Sequence, residues 1–161
     1  MEPRTRYWPA SGEKPASGPH WIAERTFRRG DAPEVRRFAR AFGSRAGLRG
    51  GQLPDFVLAV NEAAACVTAR RPGTARVRLW SAGTRVYCEV HGDAMVRGNA
   101  GGLPPGGRHG EEEALRRYVL RRVCDYFCVA SGPDDTQILL TMALRRAAPN
   151  PSGRAGMRRP R

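Results

Sequence analysis

The chain has 161 residues and a formal net charge of +13 at pH 7. That length suits one domain with an apolar core, and no stretch approaches the ~20 apolar residues that a membrane-spanning helix needs. Residues 1–18 carry proline, serine and charge where a secretory signal would be apolar, so we expect a cytoplasmic protein with no membrane partner.

The first half of the chain predicts an edge strand followed by two helices. Residues 20–29 alternate loosely between apolar and polar side chains, as an edge strand does. Asp31, followed by Pro33, predicts a side-chain cap at the start of the first helix, and Gly47 predicts its end. Asp55 is predicted to cap a second helix. The apolar side chains of this helix form a broad stripe for burial, made of Phe56, Val57, Val60, Ala63, Ala64 and Val67.

A hairpin and a glycine-rich loop are predicted next. Residues 76–82 and 85–91 each alternate apolar and polar side chains, and Gly83 with Thr84 between them allows a tight turn. Residues 92–110 hold seven glycines and two prolines in 19 positions, which predicts a mobile loop without regular structure.

The last part of the chain predicts a third helix and two more strands. The helix begins at Glu111, with acids in its first turn and arginines in its last, as the helix dipole favours. Its inward-facing side chains are predicted to be Leu115, Tyr118, Val119 and Val123. Residues 126–131 and 136–144 are predicted to be strands around a turn.

This order of elements predicts an α+β two-layer sandwich, with helices on one face of a mostly antiparallel mixed sheet. Residues 19–145 are predicted to form the folded domain. Residues 1–18 and the basic residues 146–161 are predicted to be disordered tails, since neither has a pattern that could build a core.

The positive charge is concentrated towards the ends of the chain. Residues 145–161 hold six arginines and no acid, whereas residues 31–144 hold 16 basic and 12 acidic side chains. Because exposed charges more than about 10 Å apart are screened at ordinary salt, a basic tail can attract nucleic acid without making the folded part a specific reader. We therefore expect no nucleic-acid binding except through the tail.

The cysteines do not follow a metal-binding pattern. No C-x-x-C pair occurs, and the last two cysteines are separated by the segment DYF at a predicted helix-to-strand junction. Free cysteine is among the most buried residue types. We expect neither zinc nor structural disulfides, and a role as small core side chains for Cys66, Cys88, Cys124 and Cys128.

Two polar residues, Asn61 and Glu62, interrupt the apolar run Leu58–Val67 of the second helix. They can lie on the exposed edge of an otherwise buried helix. Alternatively, the carboxylate of Glu62 can face a ligand cleft. The residues of the helix leave both interpretations open.

Five segments together resemble, in order and spacing, the histidine kinase-like ATPase domain, which has the Bergerat fold. They are LAVNEAAACV in the second helix, CEVHGDA at the end of the hairpin, the glycine-rich loop, EALRRYVLRRVCD in the third helix, and SGPDDTQILLTMAL at the end of the sheet. The similarity covers roughly residues 20–145. Within this fold, the chain resembles the anti-sigma-factor serine/threonine kinases of bacterial partner switching, including short actinobacterial forms.

The resemblance implies a set of site residues. Glu62 matches the glutamate that positions or deprotonates the attacking group, so it is the expected catalytic residue and is expected to face a nucleotide cleft. Cys66 falls where the family has the asparagine that holds Mg²⁺, and a thiol is a poor ligand for that hard cation. Asp93 is the expected reader of the adenine amino group, unless Gly92 occupies that position and the contact is lost. Thr136 matches the threonine that approaches the adenine.

The resemblance also implies cofactors and partners. Relatives use ATP and Mg²⁺, form a homodimer, bind a sigma factor and phosphorylate a serine on a small antagonist protein. One feature opposes that activity, because Glu111, Glu112 and Glu113 lie where relatives offer glycine N–H groups to phosphate. The alternatives are therefore a non-catalytic pseudo-kinase that binds a protein after losing ATP and Mg²⁺, and a basic-tailed nucleic-acid-associated protein.

Overall fold

The computed structural model describes four segments of the chain, residues 21–70, 73–93, 108–131 and 136–145. Both predicted tails and most of the glycine-rich loop lie outside these segments. In chain order the elements are β1 (Trp21–Arg28), α1 (Ala32–Ala46), α2 (Gln52–Arg70), β2 (Thr74–Ala82), β3 (Arg85–Asp93), α3 (Arg108–Val123), β4 (Tyr126–Ser131) and β5 (Thr136–Ala143). They form an α+β fold of two layers, as predicted. None of the helices in the described segments is long and apolar enough to cross a membrane.

The five strands lie in the order β1-β2-β3-β5-β4, and every neighbouring pair in this order is antiparallel. We predicted a mostly antiparallel mixed sheet. The described strands instead form a sheet that is antiparallel throughout. β1 is an edge strand, as its loose alternation predicts. β2 and β3 form the predicted hairpin, and Gly83 at its turn has a φ of 57°, which glycine adopts without strain.

The core lies between the sheet and α2. Leu79, Cys88 and Leu140 are neighbours across β2, β3 and β5, and none of the three is exposed to solvent. α2 covers this row and has α1 and α3 as its helical neighbours. The predicted stripe of α2 is confirmed, since all six of its members are buried, namely Phe56, Val57, Val60, Ala63, Ala64 and Val67.

The first helix ends as predicted but begins differently. Gly47 adopts a left-handed conformation with φ of 97°, and its N–H donates a hydrogen bond to the carbonyl oxygen of Ser44. The carboxylate of Asp31 makes no cap to the helix. It accepts a hydrogen bond of 2.7 Å from the backbone N–H of Arg28 in the preceding turn. The predicted side-chain cap is wrong because this turn supplies a competing donor.

The second helix begins at Gln52, so Asp55 lies in its first turn and is not its cap. Pro54 is tolerated there because the first N–H groups of a helix have no partner within the helix. The amide nitrogen of the Gln52 side chain donates to the carbonyl oxygen of Ala143 at 2.6 Å. This hydrogen bond joins the start of α2 to the end of β5.

The third helix faces the core with only part of the predicted set, in which Val123 packs against the core. Leu115 and Tyr118 were expected to point inward, but they are 62% and 60% exposed. Leu120 is fully buried instead, while Val119 and Val123 are half-buried. The prediction failed because α3 carries apolar side chains on two opposite sides, and only contact with α2 selects between them.

Candidate functional site

A chain of polar contacts joins the three helices at the middle of α2. Arg36 of α1 donates from Nη1 to Oδ1 of Asn61 at 3.4 Å. Asn61 donates from Nδ2 to Oε1 of Glu62 at 3.2 Å. Arg116 of α3 donates from Nη1 to Oε2 of Glu62 at 2.8 Å. The polar interruption of α2 is therefore explained by arginines that reach it from the helices on either side.

Glu62 faces α3. It follows Val60 by two residues, which turns its side chain about 200° away from the sheet-facing stripe. Its side chain is 17% exposed, and that of its ion-pair partner Arg116 is 26% exposed. Both carboxylate oxygens of Glu62 thus accept a hydrogen bond from a protein donor. The resemblance implies that this carboxylate faces a nucleotide cleft, and that orientation stays a prediction.

Cys66 lies one turn after Glu62 and is buried. Burial raises the pKa of its thiol from the ordinary 9.0 to about 11, although the nearby positive charge of Arg116 opposes the shift. The side chain is thus a neutral thiol at pH 7. Among the described residues, no group of three or more histidine, cysteine or acidic side chains could hold a metal ion. A neutral thiol at Cys66 is a poor ligand for Mg²⁺, which prefers charged or carbonyl oxygen ligands.

Gly92 and Thr136 come together at one end of the sheet. A Cβ atom added to Gly92 would lie 2.7 Å from Cγ1 of Val67 on α2 and 3.7 Å from the carbonyl oxygen of Thr136. The space directly in front of Gly92 is therefore filled by the helix. Two residues assigned to adenine are adjacent, but a buried valine packs against one of them. Asp93 ends β3, and its side chain lies outside the described part of the structure.

A cavity of about 160 Å³ lies beside the polar chain, between α2, α3 and the turn after β1. Its lining includes Asn61, Glu112 and Arg116. This volume is below the about 300–1,000 Å³ that is usual for sites of drug-sized molecules. A groove of about 390 Å³ lies at the other end of α2, beside Gln52 and Asp55. Neither cavity is lined by the residues assigned to ATP.

The face of the sheet away from the helices carries an aromatic pair that could in principle stack on nucleic-acid bases. Trp80 and Tyr87 are cross-strand neighbours on this face, with ring centroids 5.2 Å apart and ring planes within 4°. That separation is close to the ~4.8 Å between strands, so the rings stand upright and cover one another's faces. A base can stack only on an open ring face. The ring faces that Trp80 and Tyr87 turn towards each other are therefore closed to a base.

The sequence did not predict that Arg36 would donate to Asn61 or that Arg116 would pair with Glu62. Arg116 belongs to a run of arginines that is typical of a solvent-facing helix surface, and Arg36 lies on α1 without a distinctive motif. One signal was available for Arg116. It precedes the buried Leu120 by four residues, so both lie on the same side of α3.

No protein-family model matches the chain, and no curated protein matches it significantly. Its function therefore has to be inferred from its own residues and their arrangement.

Proposed function

We propose that this chain is a regulatory domain with the Bergerat fold that binds a protein partner and does not transfer phosphate. Its resemblance to anti-sigma-factor serine/threonine kinases supports a sigma factor, or an anti-anti-sigma antagonist protein, as that partner. The observation that carries the proposal is the ion pair between Glu62 and Arg116, at 2.8 Å. A carboxylate engaged in this way favours a structural role for Glu62 over that of a general base.

The residues assigned to the cofactors support the same conclusion. A neutral, buried Cys66 offers Mg²⁺ no oxygen ligand, and Val67 fills the approach to Gly92. Loss of the metal removes the charge neutralisation on which phosphoryl transfer depends. The domain would then act through its surface alone, as a pseudo-kinase does.

An ATP-dependent serine kinase is the second candidate. The adjacency of Gly92 and Thr136 favours it, because the resemblance places adenine contacts at Thr136 and at Asp93, the residue after Gly92. The two candidates differ in whether nucleotide binds and whether Mg²⁺ strengthens that binding.

Isothermal titration calorimetry with ATP, with and without Mg²⁺, separates the two candidates. We expect no heat of binding up to about 1 mM ATP, where a binding free energy near −4 kcal/mol would be detected. Tight binding of ATP that requires Mg²⁺ would contradict the proposal. Incubation with radiolabelled ATP and a small antagonist protein then tests for serine phosphorylation directly.

Two variants make the titration informative in either direction. Cys66→Asn restores the family's metal-binding side chain, and Arg116→Met releases the carboxylate of Glu62. If the double variant binds ATP only in the presence of Mg²⁺, the nucleotide cleft is correctly assigned, and the wild-type chain has lost the side chains that bind ATP with Mg²⁺. If the double variant also fails to bind ATP, the assignment of the cleft is wrong.

The protein partner is tested by using the full chain as bait in extracts of the source cells. We expect a sigma factor or a small antagonist protein to be retained after a wash at about 1 M salt, at which the Debye length is only about 3 Å. Recovery of nucleic acid that survives the same wash would favour the nucleic-acid alternative. Recovery of nucleic acid that the wash removes is the behaviour expected of the basic tail alone.

A further inference from the structure

One row of side chains crosses all five strands on the face of the sheet that points away from the helices. Its members lie directly opposite one another in the strand register, and we call them the outer row, namely Ile22, Trp80, Tyr87, Thr141 and Tyr126. Side chains alternate between the two faces of a strand, so Trp80 points outward because its neighbour Leu79 is buried in the core. Ile22 and Tyr126, at the two ends of the row, are 44% and 42% exposed.

The outer row is apolar where its neighbouring row is polar. Over β1, β2 and β3 the neighbouring row consists of Glu24, Arg78 and Glu89, and Nε of Arg78 lies 3.7 Å from the carboxylate of Glu24. Four of the five members of the outer row are aliphatic or aromatic. The fifth, Thr141, lies between two tyrosines and is 4% exposed. Because proline-rich segments dock in grooves lined by aromatic side chains, the outer row has the chemistry of a proline-binding surface.

The chain enters the sheet at one end of the outer row. β1 begins at Trp21, directly before Ile22, so residues 1–20 approach the sheet at this point. The other terminal segment leaves on the opposite side, because the backbone N–H of Arg145 donates to Oε1 of Gln52 on α2 at 3.2 Å. The N-terminal segment is therefore the terminal segment that starts beside the outer row.

The prolines of residues 1–20 have the spacing of a polyproline II helix. The sequence PASG occurs twice, at residues 9–12 and 15–18, and Pro3, Pro9 and Pro15 follow one another at intervals of six. Polyproline II has three residues per turn and rises ~3.1 Å per residue, so these prolines lie on one side of it, ~19 Å apart. The outer row crosses four gaps between strands, each of ~4.8 Å, so its length is also about 19 Å.

We infer that residues 9–15 lie across the outer row as a polyproline II segment, with Pro15 at Ile22 and Pro9 at Tyr126. Gly12 is halfway along the same side of the segment, and its lack of a side chain lets the backbone pass close above the middle of the row. A segment of this composition cannot build a core, but it can become ordered on a surface that is already formed.

The connection to β1 is long enough for this path. The seven positions from Pro15 to Ile22 can span up to ~23 Å when extended. Gly18 followed by Pro19 is a dipeptide typical of turns, and it supplies the change of direction from the outer row into β1.

Tryptophan fluorescence of the full chain tests the inference. The chain has three tryptophans, so W8F/W21F leaves Trp80 of the outer row as the only one. In this background P9A/P15A removes the two proline rings that contact the row. S11A/S17A is the matched control, because it changes the same two repeats at positions on another side of the segment. We expect acrylamide to quench Trp80 more strongly in P9A/P15A, with its emission shifted to longer wavelength, and S11A/S17A to match the parent chain.

A peptide of residues 1–18 with phenylalanine at position 8 provides the reciprocal test. The P9A/P15A chain has lost the docked segment, so the peptide should bind its outer row and restore the shielding of Trp80. A short link supplies an effective concentration in the millimolar range, so we expect this effect at about 1–10 mM peptide. The same peptide with alanine at positions 9 and 15 should have no effect.

Controls separate release of the segment from loss of folding. Circular dichroism should give the same spectrum for every variant. If W21F weakens β1, the indole N–H signal of Trp80 in the ¹⁵N-labelled wild-type chain allows the same comparison, and P9A/P15A alone should shift that signal. No nucleotide or protein partner enters these measurements, so their failure is distinct from failure of the proposed function.

Two results would overturn the inference. One is equal quenching of Trp80 in P9A/P15A and in S11A/S17A, which would show that the prolines do not cover the outer row. The other is shielding of Trp80 that disappears on dilution, since a second copy of the chain would then be what covers it.

Discussion

Arg116 on α3 donates a hydrogen bond of 2.8 Å to the carboxylate of Glu62 on α2. The two side chains are 26% and 17% exposed, so this ion pair is shielded from water on most of its surface. It links the helix that covers the sheet to the helix that follows the glycine-rich segment. The same pair decides both the stability of the helical layer and the chemistry open to Glu62.

Removal of the arginine should destabilise the protein. Arg116→Met keeps most of the aliphatic stem but leaves a half-buried carboxylate without its charged partner. Exposed pairs contribute about 0–1 kcal/mol, and loss of one partner from a fully buried pair costs about 3–5 kcal/mol, so we expect a loss of about 1–3 kcal/mol. Urea unfolding at pH 7 measures this loss as a decrease in the free energy of unfolding.

Arg117→Met is the matched control for this prediction. Arg117 pairs with Glu113 on the same helix at 2.7 Å, but its side chain is 45% exposed. The control should cost about 0.5 kcal/mol or less, as exposed pairs of this spacing do. Equal losses for the two variants would contradict the importance assigned to the shielded pair.

The parts of the fold that the sequence predicted well are those with one dominant apolar side. α2 has a single broad stripe, from Phe56 to Val67, and every predicted member of it is buried. The hairpin strands were predicted from their alternation, and the apolar side chains Val86, Cys88 and Val90 of β3 are all buried. In these elements the local pattern and the tertiary packing select the same side chains.

The parts that the sequence missed depend on contacts between distant segments. Leu115 and Leu120 are equally apolar, and only the position of α2 determines which of them is buried. The ion pair of Glu62 joins residues 54 positions apart, so no local spacing could have predicted it. Glu62 was correctly singled out as unusual, but its partner could be found only from the packing of the helices.

The contact between Gly92 and Val67 predicts that glycine is required for packing. Gly92→Ala would place its Cβ 2.7 Å from Cγ1 of Val67, so the helix or the strand must shift. Overpacking of this kind typically costs about 1–3 kcal/mol. The double variant G92A/V67A removes the clash, so it should lose less free energy of unfolding than the two single losses added together. Additive losses would show that the contact with Val67 is not the reason why glycine is needed at position 92.

Stability should fall in alkaline solution through the buried thiol of Cys66. Its pKa is raised from 9.0 to about 11 in the folded protein, chiefly by burial. Between these two pH values the unfolded thiol loses its proton while the folded one keeps it, so rising pH favours unfolding. The loss attributable to this residue should approach about 1.4 kcal/mol per pH unit within that window.

Cys66→Ala isolates this effect from the other thiols. Burial also raises the pKa of Cys124, to about 12, so the wild-type decline has more than one source. The alanine variant should therefore decline less steeply than the wild type between pH 9 and about 11, as measured by urea unfolding at several pH values. Parallel declines would mean that the thiol of Cys66 does not ionise on unfolding in this range.

In acid, stability should be lost through Glu89 on the face of the sheet away from the helices. Nε2 of His91 lies 3.2 Å from the carboxylate of Glu89, and the side-chain amide of Gln137 donates to the same carboxylate at 2.6 Å. These contacts lower the pKa of Glu89 below its ordinary value of 4.5, and the hydrogen bond from His91 is the main cause. A lowered pKa means that the folded state holds the proton less tightly than the unfolded state. The contribution of Glu89 is therefore present above pH 4.5 and is lost as the pH falls through the folded pKa. Glu89→Gln should be less stable than the wild type at pH 7 by about 1 kcal/mol, and the difference should shrink as the pH falls below 4.5. A difference that stays constant across this range would show that the charge of the carboxylate contributes nothing.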